Sequence, residues 1–332
     1  MRKLVLAIVV SSLALAAAAC GDEEPTAAPP APPAAEPAAP PAEEPPPPAE
    51  EPPAEPPAEE PPAEEPATTE APDECAVENL ALRTPGQLTI GTGNPAFPPW
   101  FEGGSETDDW EFNDPHNGQG YEGAVAYAVA ERLGIAPEQV DWVAVGFNQS
   151  FAPGPKKFDF VLQQISYTRK RDRNVDFSAS YYDVNQALVT VAGSAIEGAT
   201  SLEDLKDAKL GVPVGTTSFD YVVENIQPDE DPAVYDDQAG AVQALVNGQV
   251  DGIVTDLPTA FFIVAVELED GLIVGQFPSV GGQEYFAMAF EEGSPLVPCV
   301  NEALAALEAD GTLDAIHQEW LADKASAPVI GG

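Results

Sequence analysis

The chain has 332 residues, with 13 lysines and arginines against 56 aspartates and glutamates, a formal net charge of -43. A surface of that sign repels phosphate backbones and excludes a nucleic-acid partner, and three cysteines are too few for a disulfide-held miniature fold. Of the 36 prolines, 20 fall between Asp22 and Glu74, so a segment that cannot fold precedes one that can.

Arg2 and Lys3 precede an apolar run from Leu4 to Ala19 that ends in four alanines. A basic head, a short apolar middle and small residues at the cut make residues 1–19 a secretory signal peptide. The run is shorter than the roughly 20 residues of a membrane span. Cys20-Gly21-Asp22 then resembles a bacterial lipobox, in which the cysteine takes an acyl anchor such as palmitate. Ala17 stands where Leu is usual, and plain cleavage after Ala19 is the alternative. With Cys20 lipidated, Cys75 and Cys299 are left to pair with each other. Residues 20–74 are then a lipidated cysteine plus a stalk of Pro, Ala and Glu. Proline blocks helix and sheet, and little apolar surface is available to bury. About 50 such residues at roughly 3.1 Å each give an extended spacer on the order of 150 Å. No later stretch reaches membrane-spanning length, so the remainder is expected to be exported and water-soluble.

From Cys75 onward strand and helix patterns alternate, the signature of α/β architecture. Leu88–Gly91 reads as a strand. Gly123–Leu133 reads as a helix, with Val125, Val129 and Leu133 on one face and Gly134 as its stop. Asp141–Val145 and Phe158–Leu162 read as strands. Ser201 caps a short helix through Leu205. Lys209–Val214 is a strand, followed by Gly215-Thr216-Thr217 and a helix from Ser218 to about Asn225. Gln238–Val246 is a helix stopped by Gly248, and Gly252–Thr255 a strand ending at Asp256. Pro295–Asp310 and Leu313–Leu321 are amphipathic helices. Two such series imply two lobes, and ligands of these sheets bind beyond the carboxyl ends of strands.

Catalytic signatures are absent from the sequence: there is no nucleophile elbow, phosphate-cradling glycine loop or paired His-Glu motif. His116 and His317 lie far apart, and His317 falls inside a helical pattern. Cys75 and Cys299 form no CxxC pair. Asp108, Asp109, Glu111 and Asp114 lack calcium-loop spacing and read as a solvated loop. Neither metal nor cofactor is expected. From Cys75 on, 40 acidic residues face 11 basic ones, and four of the eleven are Arg169, Lys170, Arg171 and Arg173, just past a strand. Such a cluster attracts a small anion, or pairs with surface acids.

Six segments in order resemble the extracytoplasmic solute-binding proteins of ABC importers, in the polar amino-acid family (family 3). They are Leu88-Thr89-Ile90-Gly91 through Pro98-Pro99-Trp100, Gly120-Tyr121-Glu122-Gly123 through Leu133-Gly134, and Ile165-Ser166-Tyr167-Thr168-Arg169-Lys170-Arg171 with Val175-Asp176-Phe177-Ser178. The series continues with Ser201 through Thr217, with Gly248 through Asp256, and with Ala309-Asp310-Gly311-Thr312 before Trp320. Arg169 replaces the usual Pro and Lys170 the usual Glu. Phe97 stands where Tyr is frequent, and Gln163 and Gln164 where small residues are common.

The resemblance implies an α/β, two-lobed periplasmic-binding-protein-like fold with two hinge crossings, near Asn185–Leu188 and Ser279–Tyr285. Lobe 1 is expected over 75–185 and 282–332 and lobe 2 over 186–281, so a Cys75–Cys299 disulfide lies within one lobe. Arg171 is expected to grip a ligand carboxylate, aided by Ser166 and by Thr216 and Thr217 before a helix. Asp256 receives the α-ammonium. Phe97, Trp100 and Phe147 form walls, with Phe151 a weaker candidate, and Asn148 and Gln164 read the ligand's side chain. The function implied is a monomeric, lipid-anchored, non-enzymatic receptor on the outer face of the cell membrane that delivers a free amino acid to an ABC permease. The alternatives are an enzyme on the same fold, similar to cyclohexadienyl dehydratases, with Asp256 or Glu284 as acid, and a ligand-binding sensor that serves no importer.

Overall fold

The computed structural model describes residues 74–104, 109–321 and 326–331. The signal segment, Cys20, the stalk and Asp108 lie outside the described residues. In chain order, β1 (Leu88–Thr92) leads by a long loop to α1 (Tyr121–Arg132), β2 (Val140–Ala144), α2 (Phe147–Ser150), β3 (Phe160–Val161) and β4 (Val175–Val184). Then come β5 (Gln186–Val191), β6 (Leu210–Pro213), α3 (Thr217–Tyr221), β7 (Ala233–Tyr235), α4 (Gln238–Val246), β8 (Gly252–Asp256), α5 (Leu257–Phe262) and β9 (Gly271–Gln276). The described chain closes with β10 (Glu284–Glu291), α6 (Val297–Ala309) and α7 (Thr312–Trp320).

Two five-stranded sheets result, ordered β2-β1-β3-β10-β4 and β7-β6-β8-β5-β9. In each, four strands run in one direction and one, β10 or β5, runs against them between its two neighbours. β1 lies between β2 and β3, and every residue of it is buried, Thr89 and Thr92 included. α1 lays Val125, Ala126 and Val129 on the first sheet together with α6 and α7, around Trp100, Phe160, Phe286 and Phe290. The second sheet is covered by α4 and α5 on Ala187, Val189 and Ile253, and by α3 and its π-helical continuation Val222–Ile226 on Leu188, Leu210 and Val254.

The chain passes between the sheets from β4 to β5 and from β9 to β10. It also returns to the second sheet at its end. The expectation assigned 282–332 to the first lobe, but Val329 bridges Gln276 of β9, the Gln276 amide donates to Pro328 O, and Ile330 is buried among Leu188, Leu210 and Phe277. β9 is an edge strand with free backbone groups, and the tail satisfies them.

Other departures have local causes. β3 is shorter than Phe158–Leu162 because the Asp159 carboxylate takes the Arg83 and Thr89 amides, both at 2.7 Å. The Ser201 cap runs in reverse, since the Asp204 carboxylate accepts from the Ser201 amide and hydroxyl, both at 2.9 Å. Cys75 and Cys299 form a disulfide that joins the start of the described chain to α6, and both pack on the first lobe's core.

Candidate functional site

The residues of interest all sit beyond the carboxyl ends of parallel strands. Phe97 and Trp100 follow β1, Phe147 and Asn148 follow β2, and Gln164, Ser166 and Arg171 follow β3. Thr216 and Thr217 follow β6, and Asp256 ends β8. Loop tips of both sheets therefore converge, as open α/β sheets dictate.

Arg171 is buried, with a side chain that spans the two lobes. One terminal nitrogen donates to Ser166 O at 2.6 Å and the other to Gly215 O, in the second lobe, at 2.9 Å. Its guanidinium lies 4.3 Å from the Phe151 ring centre and 5.4 Å from that of Phe147. Burial lowers its pKa to about 10, opposed by Glu284 and Asp220. Among the described residues no carboxylate pairs with it, the ion pairs there being those of Arg83, Arg132 and His116. With two of five donors on carbonyls, the fork keeps donors for an incoming anion. Gly215 has φ +77°, and a Cβ there would fall 2.2 Å from Asn148 Oδ1, so glycine is what lets the lobes approach at this point.

Asp256 caps α5, where one carboxylate oxygen accepts the Thr259 amide at 2.9 Å. Burial pushes its carboxyl up to about 6, and the charge of Glu284 adds to this. The Ser166 and Thr217 hydroxyl oxygens lie 3.3 Å apart across the lobes. Glu284, at the head of β10, accepts from the Ser166 hydroxyl at 2.6 Å and from the Gln186 amide at 3.1 Å. Glu122 on α1 is fully buried, and its carboxylate accepts from the Tyr181 hydroxyl and from the Gln164 backbone amide at 2.7 Å. Burial lifts that carboxyl to about 7 against these hydrogen bonds. The junction thus gathers one guanidinium and three carboxylates. Among the described residues no cluster of His, Cys, Asp and Glu is arranged to hold a metal ion.

The family model for bacterial extracellular solute-binding proteins, family 3, matches residues 104–323. The chain belongs to this family. Its relatives include the L-cystine-binding protein TcyJ of Escherichia coli (strain K12), 28 % identical over 243 residues, covering 71 % of this chain and 82 % of that one. Among solved structures, an ancestral arginine-binding protein bound to arginine is similar with TM-score 0.56 and 31 % identity, covering 71 % of this chain and 98 % of that one. An ancestral amino acid-binding protein, a precursor of cyclohexadienyl dehydratase, is similar with TM-score 0.56 and 28 % identity, over 71 % and 95 % of the two chains. Family membership makes the chain an extracytoplasmic solute-binding protein of two lobes.

The structure brings Arg171, Ser166, Thr217 and Phe147 together at the junction. Three of the expected ligand contacts are otherwise engaged. The Thr216 hydroxyl caps α3, accepting the Phe219 amide at 3.1 Å and donating to Pro213 O at 2.8 Å. Gln164 has φ 49° and its side-chain amide donates to the Glu122 carboxylate. Trp100 is buried among Tyr121, Tyr182 and Phe286, and its indole donates to Thr259 Oγ1 of the second lobe at 2.9 Å. It bolts the lobes together and offers no open wall. Phe97 reaches across to Phe262 of α5, with ring centres 6.3 Å apart. Asn148 is exposed and its amide lies 3.5 Å from Val214 O.

Sequence reasoning missed Glu122 as a site residue. Its signal is its place on the buried face of α1, three, four and seven residues before Val125, Ala126 and Val129, where an acid demands partners. Glu284, named there only as a conceivable acid for an enzyme, stands in the junction.

Proposed function

We propose that the chain is a clamp-type receptor for a free amino acid, handed on to an ABC permease in the membrane. The observation that carries this is Arg171, buried between aromatic rings and both lobes with donors to spare and no paired carboxylate among the described residues. In this reading its planar fork takes the α-carboxylate, Ser166 and Thr217 flank that group, and Asp256 takes the α-ammonium. Phe97, Phe147 and Phe151 supply the apolar surround. A ligand that touches both lobes favours the closed state by its differential affinity, and so biases the hinge.

Asp256 and Glu284 against one guanidinium leave the junction short of positive charge once a zwitterion is bound, and Glu122, lifted to about 7 by burial, adds part of a further negative charge. A cationic side chain best fits that balance, and cation–π contact with the phenylalanines adds to it. The arginine bound by the similar ancestral protein agrees with this preference. We read the mature protein as a monomer, lipidated at Cys20 and held off the membrane by its stalk.

A thermal-shift screen of the twenty amino acids tests the reading, since a ligand of the native state raises stability by mass action. Arginine or lysine is expected to give the largest shift, and no shift with any amino acid contradicts the proposal. A second reading, dehydration of a prephenate-like acid, draws on the raised carboxyl of Asp256 and on the similar dehydratase precursor. Turnover of prephenate or arogenate decides for it.

A further inference from the structure

Glu284 occupies a position that the receptor reading leaves unexplained. It heads β10, where the chain re-enters the first sheet, and both its oxygens lie 3.1 Å from Gln186 Nε2. Gln186 heads β5 at the other crossing, and its own Oε1 accepts the Ser218 hydroxyl of α3 at 2.6 Å. Gln186 Nε2 also lies 3.4 Å from Thr217 Oγ1. A hydrogen-bonded chain thus runs from Ser166, through Glu284 and Gln186, to the second lobe. It ties both crossings to the group beside Arg171.

We propose that Glu284 is a built-in competitor for the ligand's carboxylate, holding the Ser166 hydroxyl and opposing a second negative charge beside Arg171. This rests on the reading of Arg171 and Ser166 as the carboxylate pocket. Ser166 has one hydroxyl proton, and at 2.6 Å Glu284 already has it. An incoming carboxylate must share that donor or take it, and in either case two like charges stand close together in a partly desolvated site. The charged groups around Glu284 are Arg171, beyond which lies Asp220, and Asp256. Arg171 is the sole cation among them, and it must serve both carboxylates. When the ligand accepts the Ser166 hydrogen bond, Glu284 keeps only its bond from Gln186, while the backbone bonds from Tyr167 N to Tyr285 O and from Ala287 N to Ile165 O still hold the β3–β4 loop to β10. Weakened retention suits a receptor that must surrender its cargo.

Calorimetry and stopped-flow release rates on the intact exported protein test this, with L-arginine, L-glutamine, L-cystine and their methyl esters as probes. Glu284→Gln keeps the side chain's shape and removes its charge. It is expected to tighten binding of the free amino acid about tenfold, mainly through slower release. The corresponding ester, which lacks the carboxylate charge, is expected to change less than about twofold. A Ser166→Ala change supplies a second reading. Its effect is expected to be below about threefold with Glu284 present and above about tenfold in the Glu284→Gln background, a coupling that mere structural support does not produce. Unchanged or weakened amino-acid binding in Glu284→Gln overturns the proposal, as do equal gains for acid and ester. If neither wild type nor variant binds any of the three amino acids, the carboxylate pocket itself is wrong and this inference falls with it.

Discussion

With Asp256 in its proposed place at the ligand's ammonium, a single carboxyl couples ligand affinity to pH. Burial lifts it to about 6, so near that pH part of the population is neutral and offers an ammonium no full charge. An α-ammonium favours the ionised form and pulls the value down, so binding near pH 6 releases protons. Affinity is therefore expected to be level above about pH 7 and to fall as the pH drops through about 6. Calorimetry in two buffers of different ionisation enthalpy reads both effects. A flat affinity from about pH 5 to about pH 7.5, with no proton release, contradicts the role given to Asp256. Arg171 was legible through the resemblance of Ile165–Arg171 to the family's signature, since the cation cluster by itself left a solvated basic loop open. The engagements of Thr216 and Gln164 were not legible, because they depend on where the Phe219 amide and Glu122 lie in space. Residue type announces a donor, and only the fold says which acceptor claims it.

Among the elements, Gln238–Val246 matches its expected bounds, while α1 begins at Tyr121 and not at Gly123, and α6 and α7 depart from their expected ends by a residue or two. β4, β5, β7, β9 and β10 escaped the sequence reading. β10 pairs with β3 and β4, at least 100 residues away, and local pattern carries no record of such partners. The same holds for the tail, whose bridge to β9 joins Gln276 to Val329. Ile330 is 1 % exposed although it stands two residues from the chain's end. Ile330→Ala is expected to cost about 2–5 kcal/mol in urea unfolding, the range for emptying a buried site. A loss below about 0.5 kcal/mol, typical of surface substitutions, means the tail is not part of the second lobe's core. Gly275→Ala tests the same contact from the strand side, since a Cβ there meets Pro328 O at 2.5 Å.

Across the whole molecule, the acid excess and the raised carboxyls of Glu122 and Asp256 act in the same direction. Glu122 and Asp256 have folded values raised to about 7 and about 6. A raised carboxyl means that the native state binds more protons than the unfolded chain, so stability falls as pH rises from about 4.5 to about 7. Relief of self-repulsion on acidification adds to this for a chain of net charge -43. Without ligand, Tm is expected to rise from about pH 7.5 to about pH 5. A maximum at neutral pH contradicts the placement of both carboxyls. In the proposed clamp the ligand is held at its anionic end from the first lobe and at its cationic end from the second. Calorimetric titration of wild type, Arg171→Ala and Asp256→Asn with the amino acid that shifts Tm most is the direct test. Truncating either partner of a buried charge pair is expected to weaken binding at least about 30-fold, and wild-type affinity in both variants would show that the ligand does not lie between these two residues.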